Sequence, residues 1–323
     1  MASTIHPGLG DHDRFDAEAA RADPALFRRF LPEIAHRTTG EVLAHPDFAR
    51  LRRRYVVDTM ASYATAVFPG GLQSTAYRSA AVGAIVCLHA AYDPDDRATW
   101  PTLSRLKQAV ATFDLSSPRQ VDDFVARLVS TGYVALQRPA CDGRLRLLRA
   151  TEKLLAWDRS ATASYYGVLD ALYPDAGGRA ALVQDPEFQA VRNAAATTIF
   201  HIIGHFIAEN RDLLPFLAMY NGARVLMLLA ARAEDGLECD GIDLEFLQET
   251  FGVSRSHVRN ILSAAEAGGL LAWSGPDRRA PRLTPRGLFA VDRFIADTLS
   301  SNDMSYRMAR MRMGLDPGRP PGD

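Results

Sequence analysis

Three side chains at helical spacing could hold a metal ion. His201, His205 and Glu209 follow one another at intervals of four residues, so one face of a helix would present two imidazoles and a carboxylate. These groups are zinc ligands, and their spacing suits a metal-dependent sensor or enzyme. The competing interpretation makes them polar groups of a buried helix, satisfied by hydrogen bonds. We favour the second, because one helix supplies only part of a tetrahedral zinc site.

A second set of side chains suits nucleic acid. Guanidinium groups bind phosphate or guanine in a bidentate manner, and an asparagine amide pairs in the same way with adenine. Such groups cluster in two neighbouring segments of the C-terminal half. They are Arg255, His257, Arg259 and Asn260 in the first segment, and Arg278, Arg279 and Arg282 in the second.

The first of these segments is predicted to be a helix. Leu244, Leu247 and Phe251 lie at helical spacing, Gly252 interrupts that helix, and Ser254 is placed to cap the next one. The next helix extends over 255–267 and ends at a glycine pair. Its inward face is expected to carry Val258, Ile261, Leu262 and Ala265.

A hairpin is predicted to follow this helix. Residues 270–273 form a short strand, 274–277 a turn, and 281–283 the returning strand, with Arg278 and Arg279 at the tip. Two helices followed by a hairpin are typical of a winged helix-turn-helix. In that motif the second helix can enter a major groove, and the hairpin can reach the neighbouring backbone or minor groove.

The N-terminal half repeats this pattern. Residues 117–124 correspond to 254–261 without a gap, and Ser117 or Ser116 followed by Pro118 starts the equivalent helix. Its exposed positions include Asp122 and Asp123, which phosphates repel, where the second copy has an arginine and an asparagine. We therefore expect the second copy to dominate base reading. The first copy would contribute Arg119, Gln120, Arg138, Arg144 and Arg146.

The predicted fold is mainly α with small β-hairpin wings: two tandem winged helix-turn-helix repeats packed through long helices. Long helices are expected over 45–67 and 186–209, with the interface between the copies at the second of them, whose residues 199–207 are almost wholly apolar. The expected boundaries are a mobile segment over 1–25, repeats over 26–158 and 159–302, and a mobile tail over 303–323.

Residues 244–288 resemble the MarR family of bacterial transcriptional regulators. The resemblance is carried by the basic hairpin Pro276-Asp-Arg-Arg279 and by Leu283-Thr-Pro-Arg-Gly287, which opens the next helix. The first copy fits the family pattern more loosely, since Ala150-Thr151-Glu152 stands where the second copy has the proline and glycine of the motif that follows the hairpin. The resemblance implies a regulator that binds double-stranded DNA as a covalently fused pseudo-dimer. A small-molecule effector would bind between the long helices and change the spacing of the two reading units.

The length and composition of the chain bear on which classes of protein it can belong to. The chain has 323 residues, of which 47% are hydrophobic, enough for two domains with cores. We expect a cytoplasmic protein without membrane association, because no signal peptide or apolar run of membrane length is present. Cys87, Cys141 and Cys239 lack metal-ligand spacing, and familiar catalytic patterns are missing, so neither an enzyme nor a cofactor is expected.

Two alternatives stay open beside DNA binding. The net charge of −1 is low for a nucleic-acid binder, which favours a winged-helix scaffold that contacts proteins. The other alternative is the metal-dependent sensor centred on His201, His205 and Glu209. The oligomeric state is also open, because a fused pair can be complete as a monomer or can still form a homodimer.

Overall fold

The computed structural model describes residues 33–62, 75–139, 142–174, 178–233, 242–274 and 280–316. The expected mobile segment over 1–25 lies outside these residues. Within them the chain is mainly helical, with two small antiparallel hairpins, which confirms the predicted mixture of elements.

The first half of the chain contains six helices among the described residues, besides one short 3-10 helix at Arg97–Thr99. Two helices precede the hairpin, and a long helix follows it. The elements are α1 (Thr39–Ala44), α2 (Phe48–Ser62), α3 (Ala76–Ala90), α4 (Leu103–Ala111), α5 (Pro118–Ser130), β1 (Val134–Gln137), β2 (Leu147–Ala150) and α6 (Glu152–Leu172).

The second half presents the same order with an additional break. Two helices, a hairpin and a long helix again close the unit. The elements are α7 (Arg179–Leu182), α8 (Pro186–Ala196), α9 (Phe200–Glu209), α10 (Leu214–Ala218), α11 (Gly222–Arg232), α12 (Leu244–Phe251), α13 (Arg255–Ala267), β3 (Leu271–Ser274), β4 (Ala280–Leu283) and α14 (Pro285–Arg312).

The helix contacts follow an approximate two-fold pattern. Within the halves, α2 packs on α6 and α8 packs on α14. Across the halves, α2 meets α11 as α8 meets α3, and α6 meets α7 as α14 meets α1. Each contact therefore has an equivalent in which the two halves exchange places.

Helices extend across two of the predicted boundaries. Residue 158 lies inside α6, which continues to Leu172. Residue 303 lies inside α14, and Met304, Tyr306 and Ala309 are buried rather than part of a mobile tail. The arginines of this stretch suggested a solvated terminus, whereas Arg307 is buried and pairs with a carboxylate one turn earlier.

The long helix expected over 186–209 is two helices. α8 ends at Ala196, and hydrogen-bonded turns at 197–199 precede α9. Its apolar residues do lie in the interior, with Ile199 and Ile202 buried in the larger of the two apolar cores. The helix expected over 45–67 begins at Phe48 and is described as far as Ser62.

Charged groups are buried or half-buried where the halves meet. Asp170 on α6 accepts hydrogen bonds from the backbone N–H of Arg179 and of Ala180, both at 3.0 Å, at the start of α7. Asp303 occupies the equivalent position of α14 and accepts from the backbone N–H of Arg37 at 2.8 Å, ahead of α1. Each long helix thus anchors the short helix of the opposite half.

The larger apolar core contains residues of both halves, whereas the smaller one belongs to the first half. The larger core includes Val42, Phe188, Leu226, Ile261 and Leu299. The smaller one includes Ile85, Leu106, Phe124, Leu128 and Leu148.

Of the helices in the described ranges, none combines the length and the apolar character needed to cross a bilayer.

Candidate nucleic-acid interface

Residues 103–150 form one helix–helix–hairpin unit, here called the first head, and residues 244–283 form the other, the second head. In the second head, α12 ends at Gly252, whose φ of 60° is left-handed and suits glycine. The hydroxyl of Ser254 then accepts a hydrogen bond from the backbone N–H of His257 at 3.2 Å and caps α13. The predicted turn and cap are confirmed.

The helix α13 has one buried and one exposed face. Its inward side chains are enclosed, since Val258 and Ile261 have no exposed surface. Arg255, Arg259 and Asn260 are exposed on the other side. The first turn of α13 contains no acidic residue, so nothing within it opposes the positive end of the helix dipole.

His257 is placed differently from the prediction. Its ring is half-buried, and Nε2–H donates to the backbone carbonyl of Tyr220 at 2.7 Å. The two rings also meet edge to face, with centroids 6.1 Å apart. His257 therefore fastens α13 to the residues ahead of α11, and its Nε2 is not free for a base. Tyr220 gave no signal in the sequence, because it lies 37 positions away.

The hairpin of the second head carries one described arginine. β3 and β4 pair in antiparallel fashion, with Ala272 opposite Arg282. The side chain of Arg282 is exposed on β4. Arg278 and Arg279, predicted at the hairpin tip, lie outside the described residues.

The first head uses some of its predicted contact residues for its own structure. The amide oxygen of Gln120 accepts from the backbone N–H of Ser117 at 2.8 Å and completes a capping box. The carboxylate of Asp122 lies 2.6 Å from Nζ of Lys107 on α4. Arg119 and Asp123 are exposed. The exposed face of α5 is thus less basic than that of α13.

The hairpin of the first head is basic but partly engaged. Arg138 and Arg144 are exposed. Arg146 is half-buried, and its Nη1 donates to the carbonyls of Gly143 at 2.8 Å and Leu145 at 3.0 Å. Arg146 therefore braces the loop, which leaves Arg138 and Arg144 for an outside partner.

The predicted metal site is only partly described. The side chains of His201 and His205 on α9 lie outside the described residues. The carboxylate of Glu209 accepts from Nη2 of Arg293 at 3.3 Å. Among the side chains that the structure describes, no group of three or more potential ligands is arranged to hold a metal ion.

A cavity of about 340 Å³ lies between the two halves, within the size range of small-molecule sites. Its walls come from helices of both halves. Most of the lining surface is apolar, and Asp158 and Thr162 on α6 are among the polar residues that line it. The sequence did not single out either residue, although an aspartate within a mostly apolar helix was a signal.

Comparisons of the chain with protein-family models, curated proteins and solved structures find no match. A fold alone does not define function, which resides in the chemistry of particular side chains. In the second head these side chains are Arg255, Arg259, Asn260 and Arg282, all of them exposed.

Proposed function

We propose that the chain is a cytoplasmic, sequence-specific DNA-binding transcriptional regulator. In this proposal the two heads are winged helix-turn-helix units of the MarR type, and the chain acts as a single-chain pseudo-dimer. The observation that carries the proposal is the two-faced helix α13. Its apolar face is enclosed, while Arg255, Arg259 and Asn260 remain exposed beside a hairpin with an exposed Arg282.

The chemistry of these groups assigns them different tasks. Arg259 and Asn260 lie in the middle of the exposed face of α13, where a helix in a major groove would present them to base edges. Arg255 is the first residue of α13 and is suited to a phosphate contact. Arg282, with Arg278 and Arg279 shortly before it in the sequence, would contact the DNA backbone or the minor groove.

The two heads would contribute unequally. Arg119, Arg138 and Arg144 supply positive charge in the first head, while Asp123 opposes a phosphate on the exposed face of α5. A symmetric dimer reads a palindrome, because both of its heads present the same groups. Unequal heads suit an operator with two different half-sites. The net charge of −1 does not oppose this model, because the local field at the heads steers binding.

Fluorescence anisotropy on duplexes from upstream of the chain's own gene tests the proposal. The parent protein is compared with Arg255→Ala/Arg259→Ala over a salt series. We expect specific binding that the double substitution weakens. The log–log salt dependence becomes shallower by about 0.9 for each phosphate that the variant no longer neutralises.

The matched control is Arg50→Ala/Arg53→Ala, which removes the same charge from exposed positions of α2. We expect its salt dependence to equal that of the parent. Equal losses in both double variants would mean that net charge, not α13, drives binding. Binding no tighter than to random DNA at low salt would overturn the proposal.

One observation supports a second candidate. The exposed face of α5 carries Asp123 next to the pair Asp122–Lys107, which suits contact with a basic protein surface better than contact with DNA. In this case the heads act as a protein-interaction scaffold. Asp123→Arg distinguishes the two candidates, because it should strengthen DNA affinity if the first head lies against DNA and leave it unchanged if it does not.

A further inference from the structure

Three polar atoms of residues that line the cavity between the halves have no partner among the described residues: Oδ1 of Asp158 and the hydroxyls of Thr162 and Thr75, of which the last is fully enclosed. Three side chains of α8 donate to Oδ2 of Asp158: Gln189 at 2.7 Å, Arg192 at 3.1 Å and Asn193 at 3.1 Å. Its other oxygen, Oδ1, receives no hydrogen bond from any residue that the structure describes. The same is true of the hydroxyl of Thr162, although its residue is only 4% exposed.

Oδ1 of Asp158 and the hydroxyl of Thr162 are the two of these atoms that a ligand can reach. Asp158 and Thr162 line the cavity from the same face of α6, because they stand four residues apart. Neither oxygen belongs to the buried polar atoms that are fully enclosed, so each keeps free surface. A carboxylate oxygen can only accept a hydrogen bond, and a hydroxyl can accept as well. The site therefore suits a ligand that donates hydrogen bonds.

The rest of the wall determines the body of the ligand. Aromatic rings surround the space and favour an apolar group, and their faces attract a cation. Arg224 is the other charged residue among the described residues that line it, and its Nη1 donates to Oδ1 of Asn221 at 3.4 Å. The aromatic residues are Tyr55, Phe113, Trp157, Tyr165, Phe200 and Phe294.

We propose that this cavity binds an organic amine with an apolar body. Its ammonium group donates to Oδ1 of Asp158 and to the hydroxyl of Thr162, and its apolar body packs among the aromatic rings. The pair Asp158–Arg192 already joins α6 of the first half to α8 of the second, so the ligand binds where the halves are tied together. The idea that this ligand changes the spacing of the two heads rests on the proposed DNA function. The binding site itself does not rest on it.

Isothermal titration calorimetry on the full chain without DNA tests the site. The ligands are 4-phenylbutylamine, the alcohol 4-phenylbutanol and the acid 4-phenylbutanoate, which share one apolar body and differ in the polar group. We expect the amine to bind about tenfold more tightly than either analogue, the difference that a charge-assisted hydrogen bond supplies. Equal or tighter binding of the alcohol or the acid, or no binding of the amine, overturns the proposal.

Two substitutions locate the contact. Thr162→Val removes the free hydroxyl at constant shape, and we expect it to weaken amine binding by about threefold to tenfold. The matched control is Thr298→Val on α14, whose hydroxyl lines the same cavity but donates to the carbonyl of Phe294 at 2.8 Å. We expect the control to retain the parent affinity. An equal effect of both substitutions overturns the assignment, and neither result depends on whether the chain binds DNA.

Discussion

Arg52 and Arg192 stand at equivalent positions of the two halves, and each pairs with an aspartate on the long helix of the opposite half. Nε of Arg52 lies 2.6 Å from Oδ1 of Asp292 on α14. Nη2 of Arg192 lies 3.1 Å from Oδ2 of Asp158 on α6. Both arginines are buried, so the two ion pairs tie the halves together in a water-poor interior.

Removal of one member of such a pair should destabilise the chain strongly. Arg192→Met leaves the Asp158 carboxylate buried without its counter-ion, and we expect the free energy of unfolding to fall by about 3–5 kcal/mol. Urea denaturation measures it. The control is Arg50→Met, which breaks a pair with Asp47 whose side chains are 69% and 51% exposed. We expect Arg50→Met to lower the free energy of unfolding by less than about 1 kcal/mol. Equal costs would show that burial of the pair is unimportant.

Asp297 should make stability fall as pH rises. Burial raises the pKa of its carboxyl to about 7, although the hydrogen bond from Thr39 and the charge of Arg293 lower it. In the unfolded chain the carboxyl of Asp297 has the ordinary aspartate pKa, near 4. The folded state therefore holds the proton more tightly between these values, and stability decreases by about 1.4 kcal/mol for each pH unit there.

Substitution of this aspartate tests the pH effect. Asp297→Asn keeps an acceptor for the hydroxyl of Thr39, which donates to Oδ1 at 2.6 Å. Between about pH 5 and about pH 8 the parent should lose about 2–3 kcal/mol relative to this variant in urea denaturation. Asp123→Asn, at an exposed position of α5, is the control and should follow the parent. Parallel curves for the parent and Asp297→Asn would contradict the prediction.

His89 should have the opposite effect. Its Nδ1 accepts from the backbone N–H of Ala150 at 3.2 Å, which only the neutral ring can do. Burial, with the charge of Arg149, lowers the pKa of His89 to about 4. The stabilisation that neutral His89 provides is fully present above the pKa of histidine in the unfolded chain, near 6.5. It is lost as pH falls towards 4. His89→Gln keeps an acceptor without a titration, so thermal unfolding should show a flatter acid limb than the parent.

Gly287 should tolerate no side chain. A Cβ at this position would overlap the carbonyl oxygen of Leu270, which is held in place as acceptor for the N–H of Thr284 at 3.0 Å. We expect Gly287→Ala to lower the free energy of unfolding by about 3 kcal/mol or more. At Gly143 a Cβ meets nothing within 4 Å, so Gly143→Ala should cost less than about 0.5 kcal/mol. Similar costs in urea denaturation would show that α14 can shift.

Local features of the heads were predictable. Residues 255–267 form the expected helix, and Ser254 and Ser117 cap α13 and α5 as their positions suggested. These features depend on neighbouring residues, through helix periodicity and hydrogen bonds to the next turn. The exposed groups of α13 followed from the same periodicity, with the exception of His257, which is drawn inward by the carbonyl of Tyr220.

Features with distant partners were not predictable. The stretch after residue 302 looked like a basic tail, because nothing near it in the sequence shows that Asp303 is buried and pairs with Arg179, 124 positions away, as well as with Arg307. The break at 197–199 was missed because a continuous apolar run suits one helix as well as two. The lining of the cavity comes from helices of both halves, so no single segment of the sequence shows it.

The sequence by itself determined where the helices and hairpins of the two heads form and which face of α13 is apolar, because those properties arise within one or two turns of chain. Only the tertiary structure decided which charges are buried and which are free to bind. Arg52 and Asp292 are separated by 240 positions, and Arg37 and Asp303 by 266. Burial of a charge depends on a partner in the same place, and that partner is supplied by the packing of one half on the other.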